Sequence, residues 1–334
     1  PHVKQEALKL MEEAVCQGAG QWFKKQEEYL NRFWQRSFME IHGDPVLNVS
    51  LHYNLYGLLQ SASKDSFGNI GAKGLSGEGY EGHYFWDTEM YMLPFFSLTQ
   101  QQMAKTLLNY RYYILDPARE HARAMGHKKG ALFPWRTING TECSYFYPSG
   151  GAQYHIIGDI AYGIVQYYLI TGDRDYMEEQ GAEILMETAR VWYDLGHFYE
   201  GSFRIHCVTG PDEYTCVVNN NYYTNLTAKH NLLWAARIYR AMEESGSLVK
   251  LQGKIGITKE EILGFEQAAE AMYLHYDEKL DINPQDDSFL TKKVWDLGQV
   301  TNHEKPLMHD HFLFHIYRHQ VCKQADTVLA HFLF

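Results

Sequence analysis

The segment GDRDYMEEQGAEILMETARVWYDL (Gly172–Leu195) contains the pattern that decides the fold class. Asp173 follows a glycine, and aspartate is a preferred residue for capping the start of a helix. Apolar residues then recur at +7, +8 and +15 from the first of them, a spacing that places them on one face of an α-helix. The residues of this face are Met177, Ile184, Leu185 and Trp192.

The same helical spacing recurs along the chain. Gln21 to Phe38 carries aromatic residues at helical intervals, and Thr258 with Glu261 forms a capping-box pattern. Long apolar–polar alternation, the pattern of strands, is missing. We therefore predict an all-α fold in which stacked helical hairpins close into a toroid or solenoid. The other predicted helices are 4–16, 46–62, 84–98, 100–115, 152–170, 220–244 and 308–322.

Composition excludes several classes of protein. The net charge of −11 argues against nucleic acid or an anionic membrane as the main partner. No apolar run approaches the roughly 20 residues of a membrane span, and no signal peptide opens the chain. Five scattered cysteines without CxxC spacing predict reduced thiols in a cytoplasmic protein. Aromatic residues make up 15% of the chain, which suits either a site for a polyhydroxylated ligand or packing between helices.

Two glycine- and histidine-based motifs give weak signals. GEGYEG (Gly77–Gly82) satisfies G-x-G-x-x-G, but no strand precedes it, so a loop is favoured over a dinucleotide site. His311, His315 and His319 recur at i, i+4, yet a zinc site needs further ligands, and a solvated or aromatic-packed face is favoured over a metal site.

Three motifs carry candidate sugar chemistry. In GHYFWDTEMYMLPFF (Gly82–Phe96), Trp86 can stack on a sugar ring and Asp87 can accept hydrogen bonds from vicinal hydroxyls, or Asp87 can cap a helix. In GPDEY, a rigid Gly-Pro turn presents Glu213 as a general acid, unless it only caps the helix that follows. Lys323 and Gln324 offer donors to hydroxyl groups, or form an ordinary helix surface.

Taken together, FWDTE, GPDEY with NNNYYTN, and KQAD resemble the disaccharide phosphorylases of glycoside hydrolase family 65, which include maltose, trehalose, kojibiose and nigerose phosphorylases. The resemblance covers nearly the whole chain and implies an (α/α)6 barrel. Residues 1–50 then correspond to a helical linker and 51–334 to a barrel that is truncated at its C-terminal end. The chain begins without Met and ends inside AHFLF, so we expect a fragment.

The resemblance also implies roles for individual residues. Glu213 matches the family's general acid. Trp86 and Asp87 match residues that hold the non-reducing glucose, and Lys323 with Gln324 match the far wall of that subsite. Further residues expected to line the pocket are Arg111, Trp135 and Glu142.

The implied reaction is inverting phosphorolysis of an α-glucosyl disaccharide to β-glucose 1-phosphate and a free sugar. An inverting glycosidase pairs its acid with a carboxylate base, whereas phosphate is already an anionic nucleophile and needs none. We expect phosphate as co-substrate, no cofactor, no metal, and a homodimer as in many relatives. The phosphate contacts of the family lie beyond Asp326. The cleaved linkage stays open, with only a weak preference for kojibiose- or nigerose-type over maltose-type substrates.

Two alternatives remain at this point. A hydrolase of the same family would activate water with a second carboxylate, for which Glu89 and Glu304 are candidates. A non-catalytic sugar-binding protein would keep Trp86 and Asp87 and could dispense with Glu213.

Overall fold

The computed structural model describes residues 2–145, 150–299 and 305–334. Helices dominate these ranges, as predicted. The first seven are α1 His2–Gln17, α2 Ala19–Ser37, α3 Pro45–Ser61, α4 Leu93–Thr99, α5 Gln101–Tyr113, α6 Leu115–Ala124 and α7 His155–Thr171. The next seven are α8 Arg174–Tyr176, α9 Ala182–Leu195, α10 Tyr222–Ser245, α11 Leu248–Ile255, α12 Lys259–Glu270, α13 Leu313–Ile316 and α14 Thr327–Leu333.

Four short strands lie among the described residues. β1 (His197–Tyr199) and β2 (Ser202–Arg204) form an antiparallel hairpin. β3 (Lys293–Val294) and β4 (His319–Gln320) form a parallel pair. The strands lie between helices, and Phe203 of β2 is buried in the main hydrophobic core.

The core is built where α10 packs against α7, α9 and α12. Both α7 and α9 are buried over most of their length, so their apolar residues surround the whole helix and do not form a single stripe. In the segment Gly172–Leu195, the predicted apolar residues Ile184, Leu185 and Trp192 are fully buried. Asp173 caps the start of α8 by accepting a hydrogen bond from the amide of Tyr176, as the sequence predicted.

The predicted capping box at Thr258 and Glu261 is present at the start of α12, with both reciprocal hydrogen bonds formed. Several predicted helices have different ends. The predicted helix 100–115 ends at Tyr113, and a separate helix, α6, begins at Leu115, because Pro117 would clash with the carbonyl of residue 113 in a continuous helix. The predicted helix 84–98 contains a wider π-type turn at Thr88–Met92, followed by Pro94 in the first turn of α4.

The helix predicted over residues 308–322 is wrong. This stretch contains a 3-10 turn at Leu307–His309, then the four-residue α13, then β4. The side chain of Gln320 donates hydrogen bonds to the carbonyls of Leu290 and Lys292, so contacts with a distant loop replace helical bonds.

The N-terminal helices lie outside the core. No described residue of α1 is buried. On α2, Phe33 is buried in a small cluster with Leu55 and Leu59 of α3. All five cysteines are free thiols. No helix in the described ranges is long and apolar enough to cross a membrane.

Candidate active site

The GPDEY turn is fixed by close packing against the C-terminal part of the chain. A Cβ atom on Gly210 would lie 2.3 Å from Oδ2 of Asp326 and 2.5 Å from the side-chain amide nitrogen of Asn221. Only glycine allows this approach. Pro211 follows, and its ring fixes its own φ angle. The backbone that leads to Glu213 is therefore rigid.

Asp212 connects the GPDEY turn to the segment that contains Lys323. The Asp212 side chain is fully buried. Its Oδ1 accepts hydrogen bonds from the backbone amides of Tyr214 (3.2 Å), Lys323 (2.8 Å) and Gln324 (3.4 Å). Its Oδ2 accepts one from Nε2 of Gln285 at 3.0 Å. One carboxylate therefore fixes two turns that lie far apart in sequence.

Asn221 caps α10 and also contacts the same C-terminal segment. Its Oδ1 accepts from the amide of Thr224, and its Nδ2 lies 3.0 Å from Oδ2 of Asp326. Burial raises the pKa of Asp326 to about 8, and the nearby charge of Asp212 adds to the increase. Since Asn221 is the cap, the alternative in which Glu213 or Asp212 caps α10 is wrong.

Lys323 and Gln324 both contact Glu213. Nζ of Lys323 donates to Oε2 of Glu213 at 2.7 Å, and the Glu213 amide donates to Oε1 of Gln324 at 3.1 Å. Neither residue is in a helix. The alternative of an ordinary helix surface for this pair is therefore wrong.

Glu213 and Lys323 face a cavity of about 300 Å³. Trp135 lies in its wall, and the remaining wall is largely aromatic and aliphatic, with Tyr80, Tyr214, Met308, Leu313 and Tyr317. An apolar cavity with a few convergent polar groups is the usual form of a small-molecule site. Among its lining residues Glu213 is the carboxylate and Lys323 the cation.

Trp86 and Asp87 are not among the residues that line this cavity. Trp86 packs edge-to-face against His155, with ring centroids 5.0 Å apart, and also contacts Tyr223 and Tyr91. Asp159 accepts hydrogen bonds from Tyr223 and His155 at 2.6 and 2.7 Å. The partly exposed indole is therefore held in place by a buried polar group behind it.

Asp87 occupies the position before the turn at Thr88–Met92, but its side chain makes no capping hydrogen bond. Burial raises its pKa, and the charges of Glu89, Glu213 and Asp159 contribute in the same direction. The raised pKa of Asp87 thus follows mainly from its burial, with smaller contributions from these three acidic groups.

Arg111 differs from its expected place in the pocket lining. It is 1% exposed, and its Nε and Nη2 donate to the two carboxylate oxygens of Glu89 at 2.7 and 2.8 Å. Nη2 also reaches the carbonyl of Phe85 at 3.1 Å. Arg111 therefore lies beneath the segment that carries Trp86 and Asp87 and supports it from the interior.

Trp135 and Glu142 belong to one loop. Glu142 accepts hydrogen bonds from the amides of Trp135 (2.6 Å) and Ser144 (2.8 Å), so its carboxylate shapes the loop. The Trp135 ring packs edge-to-face on Phe85, with centroids 5.1 Å apart. Since Phe85 directly precedes Trp86, this ring contact links the loop of Trp135 to the segment that carries Trp86.

Comparison with known proteins places this arrangement in a family. Residues 52–334 match the model described as "Glycosyl hydrolase family 65 central catalytic domain". The chain belongs to glycosyl hydrolase family 65. The family prediction made from FWDTE, GPDEY and KQAD is confirmed.

Relatives in family 65 include named phosphorylases. An alpha,alpha-trehalose phosphorylase of Geobacillus stearothermophilus is 57% identical over 328 residues, covering 98% of this chain and 43% of that protein. A kojibiose phosphorylase of Halothermothrix orenii is 35% identical over 346 residues, covering 98% and 44%. The chain thus spans less than half the length of these relatives.

A solved structure confirms the fold. The one described as "Putative kojibiose phosphorylase from human microbiome" superimposes with a TM-score of 0.90 at 31% identity, covering 99% of this chain and 44% of that one. The helices therefore belong to an (α/α)6 barrel, as expected of family 65.

Sequence reasoning missed the residues that hold the family 65 motifs together. Asp212, Asn221, Gln285 and Asp326 are each buried and connect the GPDEY turn to the C-terminal segment. Asp212 and Asp326 stand inside the quoted motifs, so their presence beside Glu213 and Lys323 was a usable signal. Gln285 lies in no motif and carried no signal.

The remaining motifs of this family 65 chain form no further site. His311, His315 and His319 pack around the ring of Trp295, with centroid distances of 4.9, 5.4 and 4.9 Å. Within the described ranges, no group of His, Cys, Asp or Glu side chains could hold a metal ion. GEGYEG contains a 3-10 turn at Gly79–Gly82 and has no strand before it, so it is a loop.

Proposed function

We propose that the protein containing this chain catalyses inverting phosphorolysis of an α-glucosyl disaccharide, giving β-glucose 1-phosphate and a free sugar. Glu213 protonates the glycosidic oxygen as it leaves, and inorganic phosphate attacks the anomeric carbon. Trp86 and Asp87 hold the non-reducing glucose. No cofactor takes part, and phosphate is a co-substrate.

The observation that carries this proposal is the pairing of Glu213 with Lys323 at the wall of the 300 Å³ cavity. A general acid becomes an anion when it gives up its proton. The Lys323 ammonium, at 2.7 Å, is placed to stabilise that anion. The fixed backbone on both sides of Glu213 keeps the carboxyl oriented during the transfer.

The hydrolase alternative has less support. It requires a second carboxylate that can bind water across the sugar from Glu213. Both oxygens of Glu89 are bound by Arg111, and Glu89 is 1% exposed. Glu304, the other carboxylate considered for the hydrolase, lies outside the described residues. The named relatives are phosphorylases, which favours phosphate over water as nucleophile.

The disaccharide to test first is α,α-trehalose. Two alpha,alpha-trehalose phosphorylases, at 57% and 47% identity, are more similar to this chain than the kojibiose and maltose phosphorylases at 34–35%. This differs from the weak preference for kojibiose- or nigerose-type over maltose-type substrates expected from the sequence.

The test uses the complete protein with trehalose, kojibiose, nigerose and maltose, each with and without orthophosphate. We expect β-glucose 1-phosphate and glucose in equal amounts from trehalose, and only when phosphate is present. Equal cleavage without phosphate, with glucose as the sole product, would reject phosphorolysis in favour of hydrolysis. Sugar binding measured by calorimetry with no turnover under either condition would favour the non-catalytic alternative.

A further inference from the structure

A second cavity, of about 750 Å³, lies between α2, the end of α3, α5 and the end of α7. None of its lining residues lines the cavity at Glu213. A volume of this size falls in the range of sites for small organic ligands, which is roughly 300–1,000 Å³.

The charge of this cavity is opposite to that of the chain. Its lining contains four cations, Arg32, Arg36, Lys64 and Lys105, and a single acid, Asp173. The whole chain carries 41 acidic and 30 basic residues. A positive concave region on a negative protein concentrates anions by local potential.

Asp173 does not neutralise the other three cations, because it is already engaged. It caps α8, accepts a hydrogen bond from Tyr167, and pairs with Lys105 at 2.9 Å. Within residues 2–145, 150–299 and 305–334, no carboxylate forms an ion pair with Arg32, Arg36 or Lys64. Among the described residues, about three positive charges of the cavity therefore have no carboxylate partner.

Two polar groups at the cavity lack the partner that an anion would supply. The hydroxyl of Tyr29 is buried and has no hydrogen-bond partner among the described residues. Lys64 donates to the carbonyl of Leu59 at 2.8 Å, and partial burial without an acidic partner lowers its pKa. Its Nζ lies 5.8 Å from the centroid of the Tyr29 ring.

We propose that this cavity binds an organic phosphate with at least two negative charges. Arg32 and Arg36, one turn apart on α2, can each bind phosphate oxygens through two N–H groups. Tyr29 and Phe33, in the same wall, can contact the organic part of the ligand. A sugar phosphate and a nucleotide share this chemistry. The site stands apart from the proposed phosphorolysis and does not depend on it.

The test is calorimetry on the complete protein with three probes, namely inorganic pyrophosphate, a hexose phosphate and a nucleoside triphosphate. The variant Arg32→Ala/Arg36→Ala removes two lining cations. The control Lys24→Ala/Lys25→Ala removes the same charge from α2 at positions that do not line the cavity. Lys64→Gln is a second, independent lining variant.

At least one of the two phosphate esters should bind more tightly than pyrophosphate. The arginine variant should lower that affinity about 100-fold, since a hydrogen bond to a charged group contributes about 1.5–3 kcal/mol. Lys64→Gln should lower it about 10-fold, and the control less than about 3-fold. The ester that binds more tightly then shows whether the ligand is a sugar phosphate or a nucleotide.

Three results would overturn the proposal. One is the lack of saturable binding by either ester, as expected if another segment of the complete protein fills the cavity. Another is an equal loss of affinity in the arginine variant and the lysine control, which would indicate only general electrostatics. The third is equal affinity for pyrophosphate and both esters, which would reject an organic phosphate as ligand. If the protein binds an ester but shows no phosphorolysis, or shows phosphorolysis but binds no ester, the two proposals are independent of each other.

Discussion

Nζ of Lys323 donates a hydrogen bond to Oε2 of Glu213 at 2.7 Å, although the two residues are 110 positions apart in the chain. Both side chains are about one-third exposed, at 34% and 29%, so they meet at the wall of the cavity and not in the core. A solvent-accessible pair of this kind contributes little to stability. In the proposed mechanism, the pair contributes instead through its position at the proton donor.

Lys323→Met is expected to lower kcat for phosphorolysis about 10–100-fold. The substitution keeps the length of the side chain and removes the ammonium that would stabilise the Glu213 anion in the transition state, where about 1.4 kcal/mol corresponds to a tenfold change in rate. Steady-state kinetics of the complete enzyme measure the change. Lys279→Met, at an exposed position in a turn, should leave kcat unaltered. An equal kcat in the Lys323 variant would show that the ammonium does not assist the acid.

Glu213→Gln should reduce turnover by at least about 10²–10⁴-fold, which is the usual contribution of general acid catalysis. The amide preserves shape and cannot donate a proton of comparable acidity. Release of β-glucose 1-phosphate provides the measurement, and Glu200→Gln at an exposed turn is the control. Retention of full activity in the Glu213 variant would remove it from the proposed mechanism.

Asp212→Asn should lower kcat/KM by up to about 100-fold, because it loosens both turns around Glu213, and small misplacement of a catalytic group has effects of that size. The matched control is Asp277→Asn, since Asp277 also accepts hydrogen bonds from backbone amides, those of Lys279 and Leu280. Unaltered kinetics for Asp212→Asn would show that other contacts suffice to position the acid.

Arg111→Met should destabilise the fold by about 3–5 kcal/mol, because it leaves Glu89 buried without a partner. Urea unfolding measures the loss. The pair Arg240–Glu266 at the surface offers a control, and Arg240→Met should destabilise the fold much less than Arg111→Met. If Arg111→Met had the same free energy of unfolding as the wild type and lost only substrate affinity, the pocket-lining role implied by the family resemblance would be correct.

The stability of the fold should decrease in acid partly through Glu183. Burial alone would raise the pKa of Glu183, but hydrogen bonds from Lys254, Arg119 and Tyr112 outweigh burial and lower it from 4.5. The folded state then binds a proton less readily than the unfolded state. The stabilisation from Glu183 is therefore present above pH 4.5 and is lost as the pH falls below that value.

Glu183→Gln tests this pH dependence. The variant should be less stable than the wild type at pH 7, and its urea midpoint should vary less between pH 4.5 and pH 3. If the urea midpoints of the variant and the wild type changed equally with pH across that window, Glu183 would not contribute to acid unfolding.

Local signals were enough to predict most helices. Asp173 and the Thr258–Glu261 pair specify helix starts through hydrogen bonds within four residues, and the structure contains both. The error at 308–322 arose because its histidines have helical spacing but pack around Trp295, which is distant in sequence. A contact between residues distant in sequence produces no periodic pattern in the sequence.

The site was predictable only in part. The motifs identified Glu213 and Lys323, which lie together at the cavity. The family resemblance also implied a pocket position for Arg111, but its side chain is buried and forms an ion pair with Glu89. A sequence shows that an arginine is present near a motif, but burial and partner decide whether it meets a ligand. Gln285 shows the converse, since a residue of no evident pattern holds Asp212.

The separation of Glu213 from Lys323 has a consequence during protein synthesis. Translation at about 5–20 residues per second delivers the second residue on the order of 5–20 s after the first. Throughout that interval the buried carboxylate of Asp212 has no Lys323 or Gln324 amides to accept from. A nascent chain therefore carries Glu213 on an unfinished turn until the ribosome has passed the segment that contains Lys323 and Gln324.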